Sequence, residues 1–512
     1  MGRGTKSGVS FSFGRIYPSL IHPLTLSLIH SATYIFRGMG MKTRRQSKQD
    51  EISQLLTPNN LLQPRKVAAP KPARIFEGRT AELSKFLAAL SYFHGAFIVG
   101  LAAILYSWNE INYVDKMWNE QCYWKIFWLA PTPLALVTLI SLLLPYASKA
   151  TPKRTLASIR NFYIVIVSKG DNVEAVGRSL EAHKSLEDLF DGTVVKVHVV
   201  TDKGSLLHQN LTLNATIHAC PKSFKTDKAK HKARALEWYR QKMQFSERDW
   251  ILHLDEESVI DKTSVLACFD FILGAADGCD WGQGVILYNQ HNYWKGNWIF
   301  NVADSIRVAD DLGRFRFQYE WLKAPVFGAH GSFLLTNGRV ENQVTWDLGS
   351  LTEDYEFATI AQEKGFKCGH IAGAFVREQS PLDLMGFLKQ RRRWFTGIRN
   401  LPFALPKVWA GLWAAGIPCL LATIVSYVFM GMGWDETPRW LGIVKDVTFA
   451  ILCYCHILGI LVQDFDSAMG IGTMLLHSLA TILLSFVTVF IEAVAITYAL
   501  VLPPKGFEVI RK

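Results

Sequence analysis

The chain of 512 residues is too long for one ordinary domain, and its hydrophobic content of 49% with a mean hydropathy of +0.13 lies above the range of soluble proteins. A net charge of +11 would suit a nucleic-acid-binding protein, but the lysines and arginines lie in tails and loops, where basic residues also flank membrane segments. Because of this placement of the basic residues, we expect no nucleic acid as a partner. The eight cysteines show no CxxC or Cys/His metal spacing, and we expect no disulfide framework.

The first part of the chain combines a basic tail with two apolar runs. Residues 1–80 include a proline-rich stretch and predict a largely disordered tail. The apolar runs, at about 86–108 and 126–146, are each close to the ~20 residues that a bilayer requires. Their outer flanks are basic and their connecting loop is not, which predicts a transmembrane hairpin over residues 86–147 with both flanks in the cytosol.

Residues 158–400 have the composition of a soluble domain in which strands alternate with helices. Apolar runs at 162–167, 194–200 and 250–254 predict strands, and helical spacing predicts helices at 173–186 and 228–241. This alternation predicts an α/β domain with a mostly parallel sheet and with ligands at the carboxyl ends of the strands.

The last part, residues 403–502, is apolar again. A short interfacial helix is predicted at 403–412, followed by spans at about 413–432, 443–462 and 474–502. Five spans starting in the cytosol would leave the basic C-terminal tail outside, against the positive-inside rule. Either one late segment is re-entrant or the rule is weak here.

An acidic triplet ends the third predicted strand, as Asp255, Glu256 and Glu257. A solvated loop after an edge strand is one interpretation. The other is a metal site, because Mg²⁺ or Mn²⁺ on a nucleotide-sugar diphosphate is held by one or two carboxylates together with phosphate oxygens and water. If strand geometry continues, Asp255 and Glu257 point to the same side, and these two are the predicted metal ligands.

A second acidic pair, Glu353 and Asp354, follows Thr352. Thr352 suits a helix N-cap, and acids favour the positive end of a helix dipole. A carboxylate fixed at a helix start beside a cleft also suits a general base. Asp354 is the predicted base, because the acceptor hydroxyl in an inverting glycosyl transfer must lose its proton, and Glu353 is its predicted helper.

The third motif is basic and aromatic, and it contains Gln390, Arg393 and Trp394. One interpretation is a juxtamembrane basic cluster on anionic lipid. Helical spacing, however, places an amide, a guanidinium and an indole on neighbouring turns, where they suit a diphosphate and a sugar.

Three weaker candidates complete the predicted site. Asp202 ends a predicted strand and suits a nucleotide base or ribose, while Lys232 and Arg234 provide cations for phosphate. Taken alone, each also suits an ordinary loop or a solvated helix face.

In this order the three motifs resemble those of the processive-type family 2 glycosyltransferases, over about residues 158–400 and the flanking membrane helices. The resemblance implies a GT-A fold, a nucleotide-sugar donor and motif roles for Asp255, Glu257, Asp354, Gln390, Arg393 and Trp394, with residues 232–236 bordering the nucleotide pocket. The chain departs from the usual Asp-x-Asp by carrying Asp-Glu-Glu.

A narrower resemblance, in residues 250–258, 328–333 and 351–357, is to the Egghead-type β-1,4-mannosyltransferases of invertebrates. It implies transfer of mannose from GDP-mannose to glucosylceramide, a membrane glycolipid, in glycosphingolipid synthesis.

We therefore expect an inverting enzyme that depends on Mn²⁺ or Mg²⁺, with a GT-A-like α/β domain inserted between transmembrane helices. We expect it in the Golgi or endoplasmic reticulum membrane with that domain facing the cytosol. One alternative is a processive β-polysaccharide synthase using a UDP-sugar, whose polymer channel normally takes more helices than are predicted here. The other is a transporter, which the soluble domain and the scarcity of ionisable residues in the spans disfavour, Glu492 being the exception.

Overall fold

The computed structural model describes residues 79–118, 120–145, 158–170, 172–189, 194–202, 216–275, 278–290, 294, 296, 298–428, 436–504 and 506. The predicted tail, residues 1–80, lies outside these ranges apart from its last two positions.

The described residues form α-helices before, within and after a central sheet. The helices before and within the sheet region are α1 (Thr80–Ser91), α2 (His94–Asn109), α3 (Thr132–Leu143), α4 (Val173–Leu189), α5 (His231–Met243), α6 (Lys262–Asp270), α7 (Trp298–Asp310), α8 (Gly338–Val344) and α9 (Glu353–Glu363). The later helices are α10 (Leu384–Asn400), α11 (Ala404–Ala414), α12 (Gly416–Val428), α13 (Arg439–Asp466) and α14 (Ile471–Val501).

An eight-stranded sheet lies within the described part of the chain. Its strands are β1 (Asn161–Ser168), β2 (Val195–Thr201), β3 (Thr216–Ala219), β4 (Asp249–Asp255), β5 (Val259–Ile260), β6 (Trp281–Leu287), β7 (Leu334–Asn337) and β8 (Cys368–Arg377). They are ordered β3-β2-β1-β4-β7-β6-β8-β5, and the pairs β3-β2, β2-β1, β1-β4 and β6-β8 are parallel while β4-β7, β7-β6 and β8-β5 are antiparallel. The predicted GT-A-like, mostly parallel α/β domain is confirmed.

The continuous apolar runs of β1 and β4 follow from burial of the sheet on both faces. Ile164 and Leu252 enter one hydrophobic cluster, whereas their neighbours Val165 and Ile251 enter a second one. Successive side chains of a strand point to opposite faces, so each face is covered by its own core. Because both faces are covered, ligands of such a sheet bind beyond the carboxyl ends of its strands.

Four stretches of the described residues are long and apolar enough to cross a membrane. They are Tyr123–Leu143, Ala404–Val428, Arg439–Asp466 and Ile471–Val501, and the pair α1 and α2 is a fifth candidate if the bent pair is one span.

The helices correct three predicted boundaries. The span predicted at 86–108 is not one straight helix. Helices α1 and α2 are bent by 56° relative to each other, and Phe93 N–H bonds to Leu90 O (2.9 Å) between them. The second span reaches back to Tyr123 through a 3-10 segment, and α3 begins with Pro133 in its first turn, where a missing N–H costs no hydrogen bond. The predicted interfacial helix 403–412 is α11, which continues into α12 as one candidate span.

Helix α13 connects the apolar helices to the sheet domain. Arg377 of β8 lies 2.7 Å from Asp466 of α13 and 3.0 Å from Asp261, and all three side chains are buried. Gln463 of α13 accepts a hydrogen bond from the backbone N–H of Tyr288 (2.7 Å). The end of β6 and the end of β8 are thus fixed against one candidate membrane helix.

Candidate active site

A cavity of about 530 Å³ lies where β1, β2 and β4 end, and it extends to α9, α10 and the apolar helices. Most of the sequence-predicted site residues line it. They are Asp202, Lys232, Asp255, Glu257, Glu353, Asp354, Gln390, Arg393 and Trp394. The first two motifs are about a hundred residues apart in the chain, and the third follows about forty residues later. All three therefore line the same cavity.

The acidic triplet lies at the end of β4. The strand ends at Asp255, and a turn follows in which Ser258 N–H bonds to Asp255 O (3.1 Å). Strand geometry does not continue beyond Asp255, and all three acids, Asp255, Glu256 and Glu257, line the cavity.

Glu256 is an acid for which sequence reasoning assigned no role. Burial and the neighbouring charge of Glu257 raise its pKa to about 7, while Ser168 Oγ donates a hydrogen bond to its carboxylate (2.5 Å). Its position between two candidate ligands was the signal in the sequence.

Lys232 connects the first acidic motif to the second. Its Nζ lies 2.5 Å from Asp255 Oδ1 and 4.0 Å from Glu353 Oε1. Burial disfavours the charge of Lys232, but the carboxylates of Asp255 and Glu353 outweigh burial and raise its pKa above the ordinary value. The amine therefore stays cationic inside the cavity.

Glu353 and Asp354 begin α9, as the sequence predicted, with Thr352 in the N-cap position. Thr352 makes no side-chain capping bond; its hydroxyl instead lies 3.0 Å from Ser350 Oγ. A Cβ on Gly397 of α10 would lie 2.7 Å from Thr352 Cγ2, so these two helices touch where the motifs meet.

Gly331 lies between the base motif and Lys232. A Cβ at this position would be 3.1 Å from Lys232 Nζ and 3.3 Å from Asp354 Oδ2. The hydrogen side chain of glycine therefore leaves open the space in which the cation and the carboxylate approach each other.

The burial of Glu353 has a consequence for folding. Burial and the charge of Asp354 raise the pKa of Glu353 to about 7, although Lys232 and Arg393 act in the opposite direction. Its ordinary value is 4.5, so between about pH 4.5 and 7 the folded chain binds a proton that the unfolded chain does not. We expect this contribution to the free energy of unfolding to be lost as the pH rises through that window.

Chemical unfolding of the purified protein at pH 5, 6, 7 and 8 measures this effect. Glu353→Gln carries no titrating group and should show a flatter dependence than the natural chain. Equal pH dependence of both proteins would contradict the assigned role of Glu353.

Helix α10 carries the third motif. Gln390 Oε1 accepts from Arg391 (2.9 Å), and the Trp394 ring lies 4.1 Å from the guanidinium carbon of Arg307 and 4.6 Å from that of Arg391. Cations near an aromatic face stabilise the ring's position. Arg391 thus orients both Gln390 and Trp394.

Arg391 lines the cavity, but sequence reasoning assigned no role to it. It is buried and lies 2.5 Å from Asp304 of α7 and 2.9 Å from Glu492 of α14. The signal was Glu492 itself, an acid inside an apolar run, whose partner lies a hundred residues earlier.

The remaining candidate, Arg234, has a positioning role. Arg234 does not line the cavity; its guanidinium lies 2.7 Å from Asp202 Oδ1 and donates to the carbonyls of Pro221 and Phe224, so it positions Asp202.

The donor set fits a metal ion only together with other oxygens. Among the described residues, no three His, Cys, Asp or Glu side chains are grouped to hold an ion by themselves. Two cavity-lining carboxylates, Asp255 and Glu257, suit a hard cation whose remaining positions are filled by phosphate and water.

Comparison with known proteins identifies the family of the chain. The family model described as Glycosyl transferase family group 2 matches residues 250–502. The β-1,4-mannosyltransferase egh of Drosophila melanogaster is 31% identical over 328 residues, which are 62% of this chain and 70% of that protein. The β-1,4-mannosyltransferase bre-3 of Caenorhabditis elegans is 37% identical over 207 residues, 39% of this chain and 44% of that protein.

Solved structures are more distant. Mannosyl-3-phosphoglycerate synthase from Rubrobacter xylanophilus has a TM-score of 0.29 at 10% identity, covering 54% of this chain and 75% of that one. TarS residues 1–349 of S. aureus has a TM-score of 0.27 at 14% identity, covering 68% of this chain and 94% of that one. The fold is assigned from the order and direction of the strands in the eight-stranded sheet.

Proposed function

Because the chain belongs to the family 2 glycosyltransferases, we propose that it transfers mannose from GDP-mannose to glucosylceramide in a β-1,4 linkage. The names of the relatives support mannose and the linkage. The observation that carries the lipid acceptor is the cavity, which extends from the carboxylates to Trp413, Ile417 and Val489 of the apolar helices.

The proposed reaction is a direct displacement. The acceptor hydroxyl oxygen attacks the anomeric carbon from the face opposite the diphosphate, and its proton passes to Asp354. The bond between the anomeric carbon and the diphosphate oxygen breaks, and its electron pair leaves with GDP. Glu353 is the proposed helper of Asp354. Proton transfer to a positioned base contributes about 10²- to 10⁴-fold to the rate of such a reaction.

The diphosphate of a nucleotide sugar carries two negative charges and gains a third as its bond to the anomeric carbon breaks, so its charge needs partners. Arg393 and Gln390 are the candidate contacts on α10, and Lys232 is a further cation that lines the cavity. Asp202, held by Arg234, is the candidate contact for the nucleoside.

We propose that Asp255 and Glu257 hold Mn²⁺ or Mg²⁺. When bound, the ion neutralises charge on the leaving diphosphate. We expect EDTA to abolish transfer and added Mn²⁺ or Mg²⁺ to restore it, as measured by release of GDP.

The control for metal loss is Asp383→Asn, because Asp383 is an exposed helix cap outside the cavity. Its sensitivity to EDTA should equal that of the natural chain, whereas Asp255→Asn should need more metal. Full activity in EDTA would assign the neutralisation to Lys232 and Arg393 instead.

A donor panel tests the proposed function. Purified protein is incubated with glucosylceramide and radiolabelled GDP-mannose, UDP-glucose, UDP-N-acetylglucosamine or UDP-galactose. We expect label in the lipid fraction with GDP-mannose alone. Incorporation from a UDP-sugar without incorporation from GDP-mannose would overturn the proposed donor.

The second candidate function is processive polymer synthesis, because residues of several candidate spans, among them Leu134 and His456, line the same cavity. Mass spectrometry of the products separates the two. A single added hexose supports lipid glycosylation, and a ladder of long chains would support the synthase.

A further inference from the structure

The cavity has a second, apolar end inside the candidate membrane helices. Leu134 of α3, Ile417 of α12 and Val489 of α14 line it there. Val489 is 45% exposed, and a Cβ on Gly416, another lining residue, would meet nothing within 4 Å. The cavity is therefore accessible beside α12 and α14, which both belong to candidate membrane spans.

An acidic side chain, that of Glu492, lies at this end. Glu492 belongs to α14, whose 31 residues suit a membrane span, yet its carboxylate lines the cavity and its side chain keeps 28% of its exposure. A charge in such a helix is costly unless it faces a partner or a polar cavity, and it generally marks a functional position.

Glu492 accepts a hydrogen bond on each carboxylate oxygen, and its carboxylate can accept further hydrogen bonds from a ligand. Arg391 Nε lies 2.9 Å from one carboxylate oxygen, and Trp413 Nε1 donates to the other at 3.2 Å. Arg391 compensates the charge, while the long bond from Trp413 is easily shared with another donor. A carboxylate accepts several hydrogen bonds at once, so sugar hydroxyls are fitting additional donors.

The aromatic partner at this end is Trp413. The Trp394 ring is engaged by two guanidinium groups, whereas Trp413 meets Phe395 edge-on, with 5.8 Å between ring centroids. An aromatic ring beside a carboxylate in a cavity matches the apolar face and the hydroxyl edge of a hexose.

We propose that Glu492 and Trp413 form the binding subsite for the hexose of a glycolipid acceptor. The hexose hydroxyls donate to Glu492, the sugar ring packs on Trp413, and the lipid chains leave between α12 and α14 past Val489. The subsite rests on the proposed function for its ligand, and it assigns acceptor recognition to a membrane helix rather than to the sheet domain.

The test uses the full chain in lipid nanodiscs. Glu492→Gln is expected to raise the KM for glucosylceramide about 10- to 100-fold, because it removes a charge-assisted acceptor. The KM for the donor is expected to stay within twofold. Thr497→Ala, an exposed position on the same helix, is the matched control.

Acceptor analogues separate recognition from a general disturbance. Glucosylceramides that each lack one non-reacting hydroxyl are compared on the natural chain and on Glu492→Gln. The analogue lacking the hydroxyl that meets Glu492 should lose activity with the natural chain and little more with the variant. Trp413→Leu should weaken all analogues, whereas Trp413→Phe, which keeps a ring, should recover most of the affinity.

Binding of fluorescent glucosylceramide to both proteins tests the subsite apart from turnover. If the natural chain transfers no sugar but binds the lipid more tightly than Glu492→Gln, the proposed function fails and the subsite stands. Three results would overturn the subsite: equal lipid affinities of the natural chain and Glu492→Gln, a changed donor KM of Glu492→Gln, or an equal loss of activity with every hydroxyl analogue when the two proteins are compared.

Discussion

Asp354→Asn is expected to bind the donor normally and to lose transfer by about 10²- to 10⁴-fold, the usual contribution of a positioned base. The substituted amide keeps the size of the side chain at the start of α9 but accepts no proton. Donor binding should survive, because the candidate diphosphate contacts, Lys232 and Arg393, are unchanged. Transfer rates and the donor Kd, measured on the same preparation, check this expectation.

The matched control is Glu363→Gln, which removes an exposed acid from the other end of the same helix. Its transfer rate should equal that of the natural chain. Near-normal turnover of Asp354→Asn would remove Asp354 from the reaction, and Glu353, with a pKa of about 7, would become the candidate base.

Lys232→Met is expected to impair both folding and donor binding. Removing one partner of a fully buried ion pair costs about 3–5 kcal/mol, and an exposed pair contributes about 0–1 kcal/mol. The Lys232 and Asp255 side chains are 17% and 37% exposed, so the expected cost lies between these limits. Without the amine, Asp255 and Glu353 lose their shared cation. Unfolding by denaturant and the donor KM measure the two effects.

The same substitution makes a prediction about pH. Because Lys232 lowers the pKa of Glu353, its removal should raise that pKa further. The acidic limb of the rate profile should then move to higher pH. Lys230→Met, an exposed neighbour, should leave stability, KM and profile unchanged; a shift in that variant equal to the Lys232 shift would show that the effect is not specific to the ion pair.

Elements with a local cause were predicted well. The strand predicted at 250–254 is Asp249–Asp255, and the helix predicted at 173–186 is Val173–Leu189, because apolar periodicity directly reflects which side chains are buried. The end of this strand at Asp255 was also predicted, whereas the bend at Tyr92 and Phe93 was not, because neither residue is a glycine or a proline.

The sequence alone determined that acidic motifs end a strand and begin a helix, and that a basic-aromatic helix precedes the apolar segments. These are local properties, set by periodicity and by chemistry at element ends. Only the tertiary structure decided that Lys232 bridges Asp255 and Glu353, and that Arg391 meets Glu492 across a hundred residues. Such contacts depend on how the sheet packs against α13 and α14, and no pattern within a single segment encodes that packing.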